Sequence, residues 1–345
     1  MMVVLGPISI PGRFIYDFFH VFILPGFLVL LIAVILLIWA ERKIAGLVQL
    51  RYGPLYVSRR IGGALQLIAD LIRYSFQEFI IPERADRIPF LTAPALALLF
   101  AIVPIAFIPI APGIAPPINT SSNLLIVLAV LAVAPIYVVL AGIASDNKFS
   151  FIGSLREVFL IISYEIPFFI SILSIAMIFR TLDLSELVYL QSSLLWGALL
   201  NPVAAIAAYI AILRITSRFP FEISEAESEI VMGPYTEYSG LMYGVSMGIS
   251  YIKLYIYSLL YTIVFLGGWL PFQGGMGFVG DYIIGSLVII AKASILMLIS
   301  VFLRAVYPRY RVDQAIRLGW STVFILSIVS LIWSLVVSYL VGRWL

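Results

Sequence analysis

An all-α, polytopic membrane protein is the fold class this sequence predicts, and three observations predict it. Hydrophobic residues make up 63% of the 345 and charged residues only 11%, against roughly 25% charged in an ordinary soluble domain. Eight apolar runs come close to the about 20 residues that a spanning helix needs. The runs also lack the two-residue alternation of a membrane β-barrel. No internal repeat and no inverted duplication of hydropathy is visible, so the chain reads as a single transmembrane domain over residues 1–345.

The first run, Val21–Ala40, follows MMVVLGPISIPGRFIYDFFH. That stretch has no basic n-region and no small-residue cleavage site, so the run is expected to stay as a helix. The loop after it, 41–89, contains GGALQLIADLIRYSFQEFI. Here Leu65, Ile68, Ile72, Phe76 and Phe79 recur at helical spacing, while Gln66, Asp70, Arg73 and Gln77 line the other side. Such a helix either lies in the membrane surface or packs on the bundle; the pattern fits both. Three further runs, Phe90–Ile110, Leu124–Ala144 and Leu155–Phe179, precede a fifth, Leu194–Ile215. After the acidic loop 216–240 come Leu241–Leu266, Tyr282–Leu303 and Trp320–Leu340. Pro104, Pro135, Pro167 and Pro202 are predicted to kink their helices, a distortion that neighbouring helices accommodate.

Loop charge predicts the orientation. The first loop holds Arg42, Lys43, Arg51, Arg59, Arg60, Arg73, Arg84 and Arg87. The third loop holds Lys148 and Arg156, the fifth Arg214 and Arg218, and the seventh Arg304, Arg309, Arg311 and Arg317. Only Arg13, Arg180 and Arg343 fall on the other side. The odd loops are therefore predicted to be cytoplasmic, and both termini to face outside.

Chemistry is bounded by what is missing. There is no cysteine and one histidine, His20. The chain cannot ligate an iron–sulfur cluster, and a lone imidazole argues against a haem. Electrons, if any are involved, must come from a partner. Cysteine usage says nothing here about redox compartment. No EF-hand spacing occurs, so no metal site is expected.

Charge is concentrated in RFPFEISEAESEIVMGPYTEYSG, which carries Glu222, Glu225, Glu227, Glu229 and Glu237. If this stretch were helical, Glu222, Glu225 and Glu229 would share a face. These acids could dock on the basic first loop, or raise one another's pKa and pass protons. Glu165, Lys253 and Lys292 lie inside predicted spans, where a charge costs roughly 2.5–3.5 kcal/mol even on lenient scales. A buried Glu–Lys pair and a proton or ion relay both fit that placement.

Five motifs in this order carry a resemblance: AERKIAGLVQLRYGP, LQLIADLIRYSFQEFIIPERAD, ISYEI, the acidic stretch above, and LRAVYPRYRVDQ. Together they resemble the quinone-site membrane subunit of respiratory complex I, the NuoH family, over nearly the whole chain. The resemblance implies a prokaryotic plasma-membrane protein that forms the mouth and lower wall of a quinone chamber. It implies that this wall couples quinone reduction to proton translocation, with quinone as substrate and no cofactor of the chain's own. Its partners would be the iron–sulfur and quinone-site subunits of a peripheral arm, adjacent small and antiporter-like membrane subunits, and lipid, with no nucleic acid.

By motif position, the resemblance implies a chamber, mouth or docking role for Glu41, Arg42, Arg51, Asp70, Arg304, Arg309 and Asp313. It implies a proton-route role for Glu165, Glu222, Glu225, Glu227, Glu229, Glu237 and Lys292. Two positions depart from the family: Ile215 and Ser250 stand where acids are usual. Related methanophenazine-, ferredoxin- or hydrogenase-linked complexes share much of this pattern. A stand-alone secondary transporter is the competing reading from another class.

Overall fold

A computed structural model describes residues 10–341 apart from 59, 61 and 276; the side chains of residues 10–15, 227 and 341 fall outside the description. Arg59 and Arg343 of the charge pattern therefore lie outside the described residues, as do the side chains of Arg13 and Glu227. Helices account for nearly all regular structure, and no strand occurs among the described residues.

In chain order the helices are α1 (Ile10–Phe22), α2 (Phe27–Val48), α3 (Gln66–Phe76), α4 (Arg87–Ile102), α5 (Asn123–Ala144), α6 (Lys148–Phe179) and α7 (Leu184–Ser193). They continue with α8 (Gly197–Leu200), α9 (Pro202–Ile215), α10 (Glu227–Ile230), α11 (Gly240–Phe265), α12 (Phe278–Val306), α13 (Val312–Leu318) and α14 (Phe324–Val341). Among the described residues, seven segments are long and apolar enough to cross a membrane, and α9 is a shorter apolar helix. Seven of the eight predicted runs thus correspond to long helical segments.

The fifth run is the exception. It is divided at Asn201 into α8 and the 14-residue α9, which rises roughly 21 Å and is short for a span. Pro202 does not kink a helix there; it begins one, at the position where a missing N–H costs nothing. The Asn201 side chain caps the Ala204 amide at 3.0 Å and donates to the Ser330 carbonyl at 2.8 Å, tying the break to α14. Pro104 similarly falls in the 3₁₀ turn Val103–Phe107 that ends the α4 segment, whereas Pro135 and Pro167 lie inside α5 and α6.

The core is organised around α11, whose stretch from Leu254 to Phe265 is buried throughout. It packs on α2, α4, α9 and α12, while α6 packs on α5, α9 and α14. α14 and the outer faces of α2 and α12 expose Leu, Ile and Val side chains, as lipid-facing helices do. α2 continues to Val48, so Glu41 and Arg42 are helical rather than part of a loop. In α3, Ile68, Leu71, Ile72 and Phe76 are exposed while Leu67 is buried. The apolar side of this helix is left uncovered by the chain, which matches a helix lying in a membrane surface better than one packed on the bundle.

The acidic stretch is not a helix. Residues 219–226 pass through turns and irregular backbone, and the helical pieces that follow, Glu227–Ile230 and the 3₁₀ turn Gly233–Tyr235, are short. Glu222, Glu225 and Glu229 therefore share no helical face. Close backbone approach holds the stretch instead. Gly233 has φ +54°, and a Cβ there would meet the Ser224 carbonyl oxygen at 1.8 Å, a position open only to glycine. Tyr238 stacks on Phe90 with centroids 4.2 Å apart and donates to the Phe90 carbonyl at 2.9 Å.

Candidate functional site

Two groups of charged side chains meet where the acidic stretch folds back on the bundle. The first centres on Glu41. α2 stays helical through AERKIAGLV, so it carries Glu41 past its apolar run. There the carboxylate accepts from Arg218 at 2.8 Å, from Arg304, and from the Tyr251 hydroxyl at 3.2 Å. Arg304 extends from the last turn of α12 and also reaches Glu222 at 3.2 Å. Arg309 lies 4.0 Å from the other Glu222 oxygen. Phe219 lies beneath both the Arg304 and Arg309 guanidiniums.

Arg218 is the most deeply set of these groups, with its side chain 2% exposed and its guanidinium 3.9 Å from the centre of the Tyr251 ring. An aromatic face supports a desolvated cation there. Its Nε and Nη2 have no hydrogen-bond partner.

The second group lies deeper, among α6, α9 and α11. Arg214 and Glu157 form an ion pair at 2.9 Å, with side chains 2% and 4% exposed. Glu165 and Lys253 are both buried and within electrostatic reach of this pair and of each other. The direct Glu165–Lys253 pair that the sequence allowed does not form. Oε1 of Glu165 has no partner. Glu225, on the acidic stretch, stands at the edge of the group. Burial, reinforced by the negative charge of Glu157 and opposed by Arg218 and Lys253, pushes its carboxyl up to about 7. Burial, and then the charges of Glu225 and Glu157, likewise raise the neighbouring Tyr235 hydroxyl, which stays protonated.

The remaining predicted residues stand apart from these groups. Arg42 pairs with Asp70 at 2.9 Å, joining α2 to α3. Arg51 donates to Gln49 at 2.6 Å and is exposed. Glu229 pairs with Arg156 at 2.5 Å and is 48% exposed. Glu237 accepts from the side chain of Asn147, the residue that caps α6. Asp313 pairs loosely with Arg311 at 3.9 Å, in the open. The side chain of Glu227 lies outside the described residues. Lys292 sits elsewhere, donating to the carbonyls of Leu266, Gly268 and Leu270 at 2.6, 2.9 and 2.5 Å under Trp196.

Opposite charges do join the elements, but among the ion pairs of the described side chains none links a first-loop base to a fifth-loop acid. What α2 contributes to the Glu41 group is an acid. The fifth-loop acids pair with α6 and with the end of α12. Among the described residues, no three His, Asp or Glu side chains gather as a metal site would need.

Sequence reading missed Glu157, Arg214, Arg218 and Tyr251 as site residues. For Glu157 the signal was present: it lies inside the predicted run Leu155–Phe179, one residue after Arg156. Nothing local marks Tyr251 among the many tyrosines of the chain.

Residues 21–335 match the protein family described as NADH dehydrogenase. An NADH-quinone oxidoreductase subunit from Geobacillus sp. (strain WCH70) is 36% identical over 294 residues, covering 85% of this chain and 86% of that protein. The subunit of the same name from Rhodospirillum centenum is 35% identical over 300 residues, covering 87% and 88%.

Proposed function

The chain belongs to the NADH dehydrogenase family, and from that premise we propose that it is the membrane subunit of a complex I-type respiratory oxidoreductase, forming the wall of a quinone chamber and coupling quinone reduction to proton translocation. The observation that carries this reading is the Glu41 group. A carboxylate held by Arg218 and Arg304 lies beside a tyrosine, at a face where Arg218 keeps two buried donor nitrogens, Nε and Nη2, without a partner. Reduction of a quinone places negative charge on its oxygens and draws two protons. Unfilled guanidinium donors stabilise such charge, and nearby acids with raised pKa supply such protons.

On this reading Glu41, Arg304 and Arg309 border the chamber, and Arg42 with Asp70 fixes α3 at its mouth. Arg51 and Asp313, both exposed, belong to docking surface. Glu222 and Glu225 begin the proton route and Glu165 receives it within the membrane. Glu227, Glu229 and Glu237 flank its entrance. The route leaves out Lys292, which is committed to three carbonyls. Electrons come from an iron–sulfur subunit of a peripheral arm, docked on the side that carries the odd loops. That side is the cytoplasm by the distribution of Lys and Arg.

Glu41→Gln is expected to lower quinone reduction per assembled complex about tenfold or more. An undiminished rate would remove the Glu41 group from the chamber. Ion or solute flux through the purified chain alone, in vesicles without partners, would favour the transporter reading instead.

A further inference from the structure

The proposed route leaves a gap between Glu225, on the acidic stretch, and Glu165, inside α6. Glu165 lies eight residues along α6 from Glu157, roughly 12 Å deeper by helical rise. The resemblance suggested acids at positions 215 and 250. Ile215 is buried and cannot carry a proton, and the Ser250 hydroxyl is committed to the Met247 carbonyl at 3.1 Å. Glu157 is the carboxylate within electrostatic reach of both Glu225 and Glu165, and Lys253 is within reach of all three.

Glu157 is held by Arg214, whose Nη2 also reaches the Glu157 backbone carbonyl at 3.3 Å. A buried ion pair adds little stability over apolar residues of the same volume, so packing alone does not account for it. Two atoms of the same group lack partners: the donor Nε of Arg214 and the acceptor Oε1 of Glu165. Buried polar atoms rarely go unpaired, so a donor and an acceptor left over in one group call for an explanation. Arg214 lies within electrostatic reach of Glu165 as well. A guanidinium holds a carboxylate much more strongly than a neutral carboxyl, so one proton on Glu157 tips Arg214 toward Glu165.

We propose that Glu157 is a proton-relay acid and Arg214 its charge switch, together bridging Glu225 and Glu165; the inference rests on the proton route proposed above. The proton leaves the Glu225 carboxyl, which becomes a carboxylate, and bonds to Glu157. Arg214 then shifts its charge toward the Glu165 carboxylate. When Glu165 takes the proton from Glu157 through a chain of water molecules that bridges the roughly 12 Å between them, Arg214 returns to Glu157. No electron moves in these steps, and the net charge of the group is conserved. Lys253 provides a fixed counter-charge.

The test uses the assembled complex in proteoliposomes, driven by its own electron donor, with proton uptake and quinone reduction recorded together. Glu157→Gln/Arg214→Gln removes both charges and keeps polar groups of similar size. The expected result is normal assembly with protons moved per quinone reduced lowered about tenfold or more. A wild-type ratio in this double variant would make the pair structural and overturn the proposal. If the double variant does not assemble, Glu157→Asp, which keeps the acid, decides through infrared difference spectra of quinone reduction. A shifted carboxyl band supports the relay, and an unaltered spectrum overturns it. Glu165→Gln separates the two levels. An unchanged proton ratio there defeats the membrane route itself, whereas a lowered ratio beside a wild-type double variant defeats only the relay through Glu157.

Discussion

Two cations within the helical bundle, on different helices, are handled in opposite ways. Lys292, on α12, directs its ammonium at three backbone carbonyls where α11 ends, with Trp196 above it. Its donors are spent, and the carbonyls it holds have no helical partners of their own. Arg214, on α9, is more deeply placed yet incompletely satisfied, facing a carboxylate on α6 and a second acid whose oxygen is unpaired. A charge with all its partners fastens two elements together. A charge with a partner to spare can choose between arrangements, and protonation then decides the choice. Intramembrane position alone does not distinguish the two; the hydrogen-bond count does.

The largest effect is expected at Arg214. Arg214→Ala leaves Glu157 buried and unpaired, and is expected to destabilise the chain by about 3–5 kcal/mol. Reduced assembly and a lower melting temperature in detergent would register this. Glu157→Gln/Arg214→Gln should recover most of the loss.

Lys292→Met comes next. It strips three carbonyls of their donor and should cost about 2–3 kcal/mol, read as a lower melting temperature. Quinone reduction per assembled complex should stay unchanged. A fall in turnover with no loss of stability would place Lys292 on the proton route after all and erase the contrast.

The smallest effect concerns Glu225, which is only partly buried. Its carboxyl is raised from 4.5 to about 7, so the folded chain binds a proton more tightly than the unfolded one. Its contribution to stability is therefore complete below about 4.5 and is lost as pH rises toward about 7. Glu225→Gln should flatten the pH dependence of the melting temperature across that window, and a profile parallel to wild type would show that the carboxyl does not titrate there.

Legibility from sequence followed the range of the interactions. The long helices were readable because a bilayer demands a run of apolar residues and little else. α3 was readable from its spacing, although its two environments were not separable until Ile68, Ile72 and Phe76 proved uncovered. The break at Asn201 was harder to read, since Pro202 can kink a helix or begin one. Asn201 decides for the second by capping Ala204 and bonding to Ser330 on α14, far along the chain. Glu157 was overlooked for a related reason. Beside Arg156 it reads as one of two adjacent surface charges, and its true partner lies 57 residues away.

By itself, then, the sequence determined that this chain is a helical membrane protein, which motifs it carries, and that it holds no thiolate for an electron carrier. These follow from composition and local spacing, which act on each segment separately. Helix packing sets the rest: the acids of 216–240 are not a helical row, Glu222 and Glu229 pair with Arg304 and Arg156 from other helices, and Glu157 and Arg214 meet in the core. Such pairings depend on which helices pack together, and electrostatic partners are chosen by distance in space, not by separation along the chain.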